Sequence, residues 1–172
     1  MPLTTGREWG GEVSPQAGAC PHCGAPFPAR PAWRGTGVDW QSEATLYGYP
    51  LVHIAFGRNA EGRLRVAKGV IAIGQFGIGA ITIAQFGVGL LFGFGQFLVG
   101  LTALSQFAIA LAFGVGQFAT GYVAIGQLAL GHYVLAQMGL GMHVWSVGHR
   151  DPVALEYFRQ LAEKIGLRLP GR

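Results

Sequence analysis

Charged residues are missing from the middle of this sequence. No Asp, Glu, Lys or Arg lies between Lys68 and Arg150, and Pro and Asn are absent from the same stretch. Charged residues make up 12% of the 172 residues, about half the share found in a typical globular domain. An ordinary soluble domain needs charge over its whole surface, and a disordered chain is poor in apolar residues, whereas 51% of this chain is apolar. Both classes are therefore excluded, and the length is that of a single domain.

Cysteine and leader-like segments are also scarce. The two cysteines, Cys20 and Cys23, are too few for the disulfide framework of a small secreted protein. Residues 1–11 hold no apolar run beside basic residues, so we expect no signal peptide, and we expect cytoplasmic termini. The densest basic group, within residues 58–68, is interrupted by Glu61 and is typical of the solvated tip of a hairpin. We therefore expect no nucleic-acid partner.

Composition divides the chain into four parts. Arg63 to Val66 alternate charged and apolar residues, which predicts a strand with one wet face in a hairpin. Asp151 and Pro152 suit the N-cap and the first position of an amphipathic helix over 151–167. The parts are a flexible lead with a Cys-X-X-Cys knuckle at 1–43, a capping β-hairpin at 44–68, an uncharged block at 69–148 and a C-terminal segment with the amphipathic helix at 149–172.

The uncharged block follows an internal repeat. Gln followed by a bulky apolar residue recurs at intervals of 10 or 11 residues. Gly, Ala or Ser recurs at every fifth residue from Gly74 to Gly141, with one extra residue near Phe92 and another near Phe113. The seven repeat glutamines are Gln75, Gln85, Gln96, Gln106, Gln117, Gln127 and Gln137.

Helices explain this block poorly. Its length would accommodate four membrane-spanning helices, but these need three polar loops, and the block offers none. Gly costs about 1 kcal/mol at each exposed position inside a helix, and Gly recurs throughout the block. A period of five also scatters the small residues around a helix, so that they form no packing seam.

The five-residue unit resembles that of the pentapeptide-repeat proteins, whose β-helix winds four five-residue faces into each coil. This resemblance implies an all-β fold, a β-solenoid of about four coils, with Gly74 and the bulky Phe76 pointing inward and Gln75 pointing outward. The hairpin and the C-terminal helix would cap its two open ends. The glutamines would stack as amide ladders, Gln75, Gln96, Gln117 and Gln137 on one face and Gln85, Gln106 and Gln127 on the opposite face.

A second resemblance covers roughly residues 44–145. The stretches from Leu51 to Gly57 and from Arg65 to Gly74, followed by the glycine-rich pentads, are similar to a group of uncharacterised bacterial proteins. These proteins join such a hairpin to long "AIG"-type repeats, and some carry a zinc-ribbon knuckle at the N-terminus. The resemblance implies this architecture and a zinc-ribbon-like lead, and it brings no activity with it.

Cys20, Cys23 and the intervening His22 are the candidate metal ligands. Two thiolates three residues apart can hold one side of a tetrahedral zinc ion, but a complete site needs four ligands, and there is no second Cys pair. Three interpretations stay open. The first is a zinc half-site that a second chain, His22 or His53 completes; the second is an inert relic; the third is a redox pair, which Pro21 disfavours.

The function is expected to depend on the surface of the uncharged block. Without a carboxylate, Lys or Cys there, catalysis lacks candidate residues, and His53, His132 and His143 are expected to be packed rather than to act as ligands. Apolar outward positions such as Val99 and Leu101 indicate contact with membrane lipid or with a second copy. We therefore predict a non-enzymatic, membrane-associated scaffold or oligomerisation module, a homo-oligomer with no cofactor besides zinc. Two alternatives stay open, a soluble oligomeric module that binds zinc and a polytopic helical membrane protein.

Overall fold

The computed structural model describes residues 3–29 and 35–166. The chain forms two compact units, Met1–Gly35 and Thr36–Arg172. Most of the described residues are strand, and one α-helix lies near the C-terminus. The expectation of a β-rich fold with a C-terminal helix is therefore confirmed.

The first unit is held by short backbone contacts. Strand β1 (Thr4–Thr5) pairs antiparallel with β2 (Glu12–Val13), and the side chain of Val13 is buried. The N–H of Arg7 donates to the carbonyl of Pro28 at 2.9 Å, which ties the start of the unit to its end. This segment is the Gly- and Pro-rich lead of the sequence, and it carries the Cys-X-X-Cys knuckle.

The second unit begins with a small sheet. β3 (Thr36–Gln41) pairs antiparallel with β6 (Val52–Arg58), and β6 pairs parallel with the start of β7 (Val66–Trp145). β4 (Thr45–Leu46) and β5 (Tyr49–Pro50) form a short hairpin between β3 and β6. Within 44–68, the range of the predicted hairpin, the chain turns back after β6, because Arg58 forms an antiparallel bridge with Leu64 and the N–H of Arg65 donates to the carbonyl of Gly57 at 3.0 Å, while the rest of β6 pairs with β3 and β7. Both hydrogen-bonding edges of β6 are satisfied in this way.

β7 is 80 residues long and repeatedly turns back on itself. In a straight strand, residues ten apart are separated by about 33 Å, whereas the ring centroids of Phe76 and Phe86 lie 5.6 Å apart. A Cβ built on Gly79, Gly126 or Gly141 would lie 2.5 Å or less from the carbonyl oxygen ten residues earlier. Neighbouring segments are therefore two five-residue units apart in sequence, half the coil length that the pentapeptide-repeat resemblance implies.

The buried residues of β7 recur every five residues. Two longer steps, from Thr82 to Gly93 and from Ala108 to Gly114, each contain one of the extra residues expected near Phe92 and Phe113. Leu98 is the largest fully buried side chain of this set, and the others are mostly Ala or Gly. One series of buried positions consists of Ala67, Ala72, Gly77, Thr82, Gly93, Leu98, Ala103, Ala108, Gly114, Ala119, Ala124, Ala129 and Val134. A second series, two residues later in the repeat, consists of Gly69, Gly74, Gly79, Ala84, Gly89, Ser105, Ala110 and Ala136.

The repeat phenylalanines lie outside this interior. Phe107 is 48% exposed, whereas the next residue, Ala108, is completely buried. The interior is narrow, since a Cβ built on Gly93 would lie only 2.9 Å from the Cδ1 atom of Leu98. A segment of two five-residue units leaves no room for a phenyl ring, so the expectation that Phe76 and its counterparts point inward is wrong.

Helix α1 (Pro152–Lys164) packs against one side of β7. Its predicted start is confirmed, because the side chain of Asp151 caps it by accepting the N–H of Val153 at 2.8 Å. The helix ends at Lys164, earlier than predicted, because Ile165 is its C-cap; residue 167, the predicted end, lies outside the described residues. Phe158 is buried against a cluster whose β7 members run from Phe113 to Trp145, about three of the ten-residue intervals. The helix therefore covers a side of β7 rather than capping its end, because its apolar stripe matches apolar residues on that side.

Candidate interaction surface

Five phenylalanines form a stacked ladder on the outside of β7. The ring centroids are separated by 5.6 Å in the first pair, 6.3 Å in the next two and 6.1 Å in the last, with ring planes within 30° of each other. Such contacts stabilise each pair by about 0.5–1.5 kcal/mol. The phenylalanine ladder consists of Phe76, Phe86, Phe97, Phe107 and Phe118.

A second row of apolar side chains runs beside the ladder. Ile78, Val88, Val99 and Ile109 each follow a ladder residue by two positions, and each is between 37% and 48% exposed. No charged residue lies among them. We call the ladder and this row together the ladder face. An uninterrupted apolar surface of this kind is typical of a contact with lipid or with another protein.

The seven repeat glutamines border the ladder face as a single row, called here the glutamine edge. Each directly precedes a residue of the ladder or its continuation, Leu128 and Met138, so the two opposite glutamine faces expected from the sequence merge into one. Among the described residues, these amides do not hydrogen-bond to one another. Only Gln75 has a side-chain partner, accepting the N–H of Gly57 at 3.4 Å.

An apolar row lies half a repeat away from the glutamines. It includes the most exposed aliphatic side chains of β7, such as Leu111 at 78% and Met142 at 71%. Tyr122 stacks on His132 within this row, with ring centroids 4.8 Å apart. We call it the leucine edge, and its members are Ala80, Leu90, Leu101, Leu111, Tyr122, His132 and Met142. The ladder face thus has one polar border and one apolar border.

An aromatic cluster holds α1 against β7. Tyr133 stacks on Tyr157 of the helix, with centroids 4.1 Å apart, and also on His143 at 5.2 Å. The Nδ1 atom of His143 lies 2.7 Å from the carboxylate of Asp151, the N-cap residue. The hydrogen bond with His143 and the N–H of Val153 lower the pKa of Asp151. Burial, then the neighbouring tyrosines, raise the pKa of Tyr157. The contacts of His143 therefore secure the start of the helix.

A partly buried ion-pair network joins β3 and β6 to the start of β7. The N–H of Lys68 donates to Nδ1 of His53 at 2.8 Å, the carbonyl oxygen of Lys68 lies 3.1 Å from the same nitrogen, and Nε2 of the ring lies 3.0 Å from a carboxylate oxygen of Asp39. The guanidinium of Arg65 donates to the other carboxylate oxygen of Asp39. The hydrogen bond from His53, followed by the contact with Arg65, lowers the pKa of Asp39. Both ring nitrogens of His53 are thus occupied by protein groups.

This network is expected to make stability depend on pH through Asp39. The pKa of Asp39 is lower in the folded than in the unfolded state. The ionised carboxylate therefore stabilises the fold above the unfolded-state pKa of about 3.9, and this stabilisation is lost as pH falls through the folded-state pKa. Asp39→Asn should lower the free energy of unfolding at pH 7 by about 1 kcal/mol or less, since the carboxylate is 38% exposed. Urea unfolding at pH 7 and at lower pH should show this difference shrinking on acidification. A difference that does not change with pH, or an equal one for the exposed Glu43→Gln, would contradict this role.

The knuckle of the first unit presents two thiols. Cys20 is buried and Cys23 is exposed. The N–H of Gly24, which adopts a left-handed φ of 73°, donates to the carbonyl of Cys20 at 2.9 Å and closes a tight turn. Backbone N–H groups of Cys23 and then His22 donate to the sulfur of Cys20 and lower its pKa.

The knuckle brings together two of its three predicted ligands. The ring of His22 stacks on Trp9, with centroids 3.8 Å apart. Within the described residues, no group of three or more His, Cys, Asp or Glu side chains is arranged to hold a metal ion. The structure therefore offers zinc two thiolates from one chain, and a complete site needs further ligands.

No protein-family model matches the chain, and neither does any curated protein or solved structure. In the part of the chain that the structure describes, no helix is both long enough and apolar enough to cross a bilayer.

Sequence reasoning missed the polar partners of the histidines. Asp39 lies in the segment taken as a flexible lead, and Asp151 was interpreted only as a helix cap. The alternation of Val38, Asp39 and Trp40 is a weak strand signal that could have placed Asp39 in the sheet. Nothing in the sequence spacing indicates that Asp39 contacts His53 and Arg65.

Proposed function

We propose that β7 forms a β-solenoid and that the protein is a non-enzymatic, membrane-associated scaffold whose ladder face meets lipid. The solenoid is supported by the constant interval of two repeat units between stacked neighbours, because in a meander of hairpins this interval would alternate between short and long values. The 80 residues of β7 then make seven or eight coils, with a length of about 34 Å at the usual strand spacing. In architecture the chain would be a relative of the "AIG"-type repeat proteins.

The ladder face is the observation that carries the membrane proposal. Its ring edges and aliphatic side chains are exposed and uncharged. A solenoid satisfies its backbone hydrogen bonds between coils, so its sides tolerate lipid in a way that an open sheet edge does not. Membrane binding of such a surface grows with the apolar area that leaves water.

The position of α1 supports a definite orientation of the solenoid. The helix buries Ala154, Phe158 and Ala162 against β7 and exposes Glu156, Arg159 and Glu163 on its outer side. A charged outer surface favours water, so the covered side faces away from the bilayer while the ladder face lies in it. The protein thus rests sideways on the membrane, with the solenoid axis parallel to the bilayer plane.

Vesicle flotation tests this proposal directly. Protein purified in mild detergent would be mixed with phosphatidylcholine vesicles, freed of detergent by dialysis and centrifuged in a density gradient. We expect the protein to float with the vesicles. A protein that stays at the bottom as a discrete, soluble oligomer would overturn the membrane proposal and favour the soluble module.

We further propose that Cys20 and Cys23 form half of a zinc site that a second chain completes. The turn at Gly24 and the N–H groups aimed at the sulfur of Cys20 favour a thiolate there, and tetrahedral zinc takes four such ligands. The purified protein should contain one zinc per two chains by mass spectrometry of the metal content.

Two variants test the ligand assignment of this half-site. Cys20→Ser is expected to lose the zinc, and His22→Ala is expected to keep it, because the ring of His22 packs on Trp9. A metal-free wild-type protein, or loss of zinc in His22→Ala alone, would refute the shared site.

A further inference from the structure

If the membrane proposal above is correct, the polar side chains of the glutamine edge border a surface that lies in lipid, where exposed amides are unfavourable. From Gln85 to Gln137, the six amides are exposed and have no intramolecular hydrogen bond within the described part of the chain. They border the ladder face directly, so insertion of the ladder face into the bilayer brings them into contact with lipid. Exposed amides without partners are unfavourable in contact with lipid, whereas the leucine edge is suited to it.

We infer that the glutamine edge is the docking site of a second copy of this chain. An amide carries both donor and acceptor atoms, so a row of amides is complementary to an identical row, which a row of carboxylates or ammonium groups is not. The spacing of the row is the same in both copies, and each Gln can therefore meet a Gln of the other. The leucine edge offers no such row of hydrogen-bonding groups, and we assign it to lipid.

The membrane constrains how the two copies are related. Both ladder faces must enter the same bilayer, so the twofold axis between the copies stands along the membrane normal. This axis makes the two glutamine rows antiparallel. Gln106, the fourth of the seven repeat glutamines, then lies opposite its own counterpart, and Gln85 lies opposite Gln127 of the other copy. The two copies of Gln85 are separated by about 19 Å, four strand spacings.

Disulfide cross-linking in vesicles tests this arrangement. The chain would carry Cys20→Ser and Cys23→Ser, together with one new cysteine, and would be oxidised after reconstitution. We expect Gln106→Cys to give at least tenfold more covalent dimer than Leu111→Cys, the matched variant on the leucine edge. Gln85→Cys and Gln127→Cys should cross-link when mixed and should give little dimer when each is oxidised alone.

The outcomes separate this inference from the membrane proposal, because the same samples are tested for flotation. If the variants float but Gln106→Cys does not cross-link, or Leu111→Cys cross-links equally well, the second-copy assignment is wrong and the lipid contact stands. Strong dimer from Gln85→Cys alone would overturn the antiparallel arrangement. If the unmodified protein fails to float, the membrane proposal fails, and this docking site fails with it.

Discussion

Phe107→Asp is expected to weaken binding to vesicles about a hundredfold. Phe107 sits in the second half of the phenylalanine ladder and is 48% exposed, so the carboxylate would be placed directly in the lipid contact. An Asp in the apolar part of a membrane costs about 2.5–3.5 kcal/mol, which corresponds to a fall of about a hundredfold in the partition coefficient. Flotation at several lipid concentrations measures this coefficient.

Gln160→Asp is the matched control for this experiment. Gln160 is exposed on the outer side of α1, where its amide donates to Glu156 at 2.8 Å, and the same charge should there leave flotation within about twofold of the wild type. Circular dichroism of both variants would show that the β structure is retained. Equal loss of binding by the two substitutions would refute the assignment of the ladder face to lipid.

Leu98→Ala is expected to be the most destabilising single truncation in β7. Leu98 is completely buried and is the largest side chain of the narrow interior, and removing such a group costs about 2–5 kcal/mol. Phe107→Ala, although it removes more atoms, should cost less, about 1–3 kcal/mol, because the ring is half exposed and its loss removes two stacking contacts. Urea unfolding in mild detergent would compare the two variants. A larger loss for Phe107→Ala would place the phenylalanines inside, as the wide pentapeptide-repeat coil requires.

A double-mutant cycle checks the width of the interior. The Cβ of an Ala at Gly93 would lie 2.9 Å from Cδ1 of Leu98, so Gly93→Ala should destabilise the native chain. In the Leu98→Ala background this contact is gone, and the effect of Gly93→Ala should be smaller by about 0.5 kcal/mol or more, a typical coupling between touching residues. Strict additivity would show that the two residues do not share one cavity.

The five-residue register could be predicted from the sequence, but the number of units that separate neighbouring segments of β7 could not. Small residues at every fifth position, interrupted near Phe92 and Phe113, match the spacing of the buried residues in the structure. A period of five is compatible with two, three or four units between neighbouring segments, and each choice sends a different side chain inward. The choice depends on interior width, which pairwise contacts such as that of Phe76 with Phe86 reveal. The position of the aromatic residues therefore had to come from the structure.

The polar contacts were equally inaccessible to sequence reasoning. The partners Asp39 and His53 are 14 residues apart, and their contact depends on the register of β3 against β6. The cap of α1 was predictable, because Asp151 followed by Pro152 is a local signal. The side of β7 that the helix covers was not, since apolar residues occur on every side of the block. Features set by neighbouring residues could thus be predicted from the sequence, whereas contacts that depend on the register of distant segments could not.

Spin labels on the ladder face and on α1 give the most direct test of the central claim. In a chain lacking Cys20 and Cys23, a single label would be placed at Ile109 on the ladder face or at Gln160 on α1. For protein bound to vesicles, we expect that collisions with oxygen, which concentrates in lipid, dominate at 109 and that collisions with a water-soluble nickel complex dominate at 160. A label at 109 that is as accessible to the nickel complex as the label at 160 would contradict the proposed contact between the ladder face and the membrane.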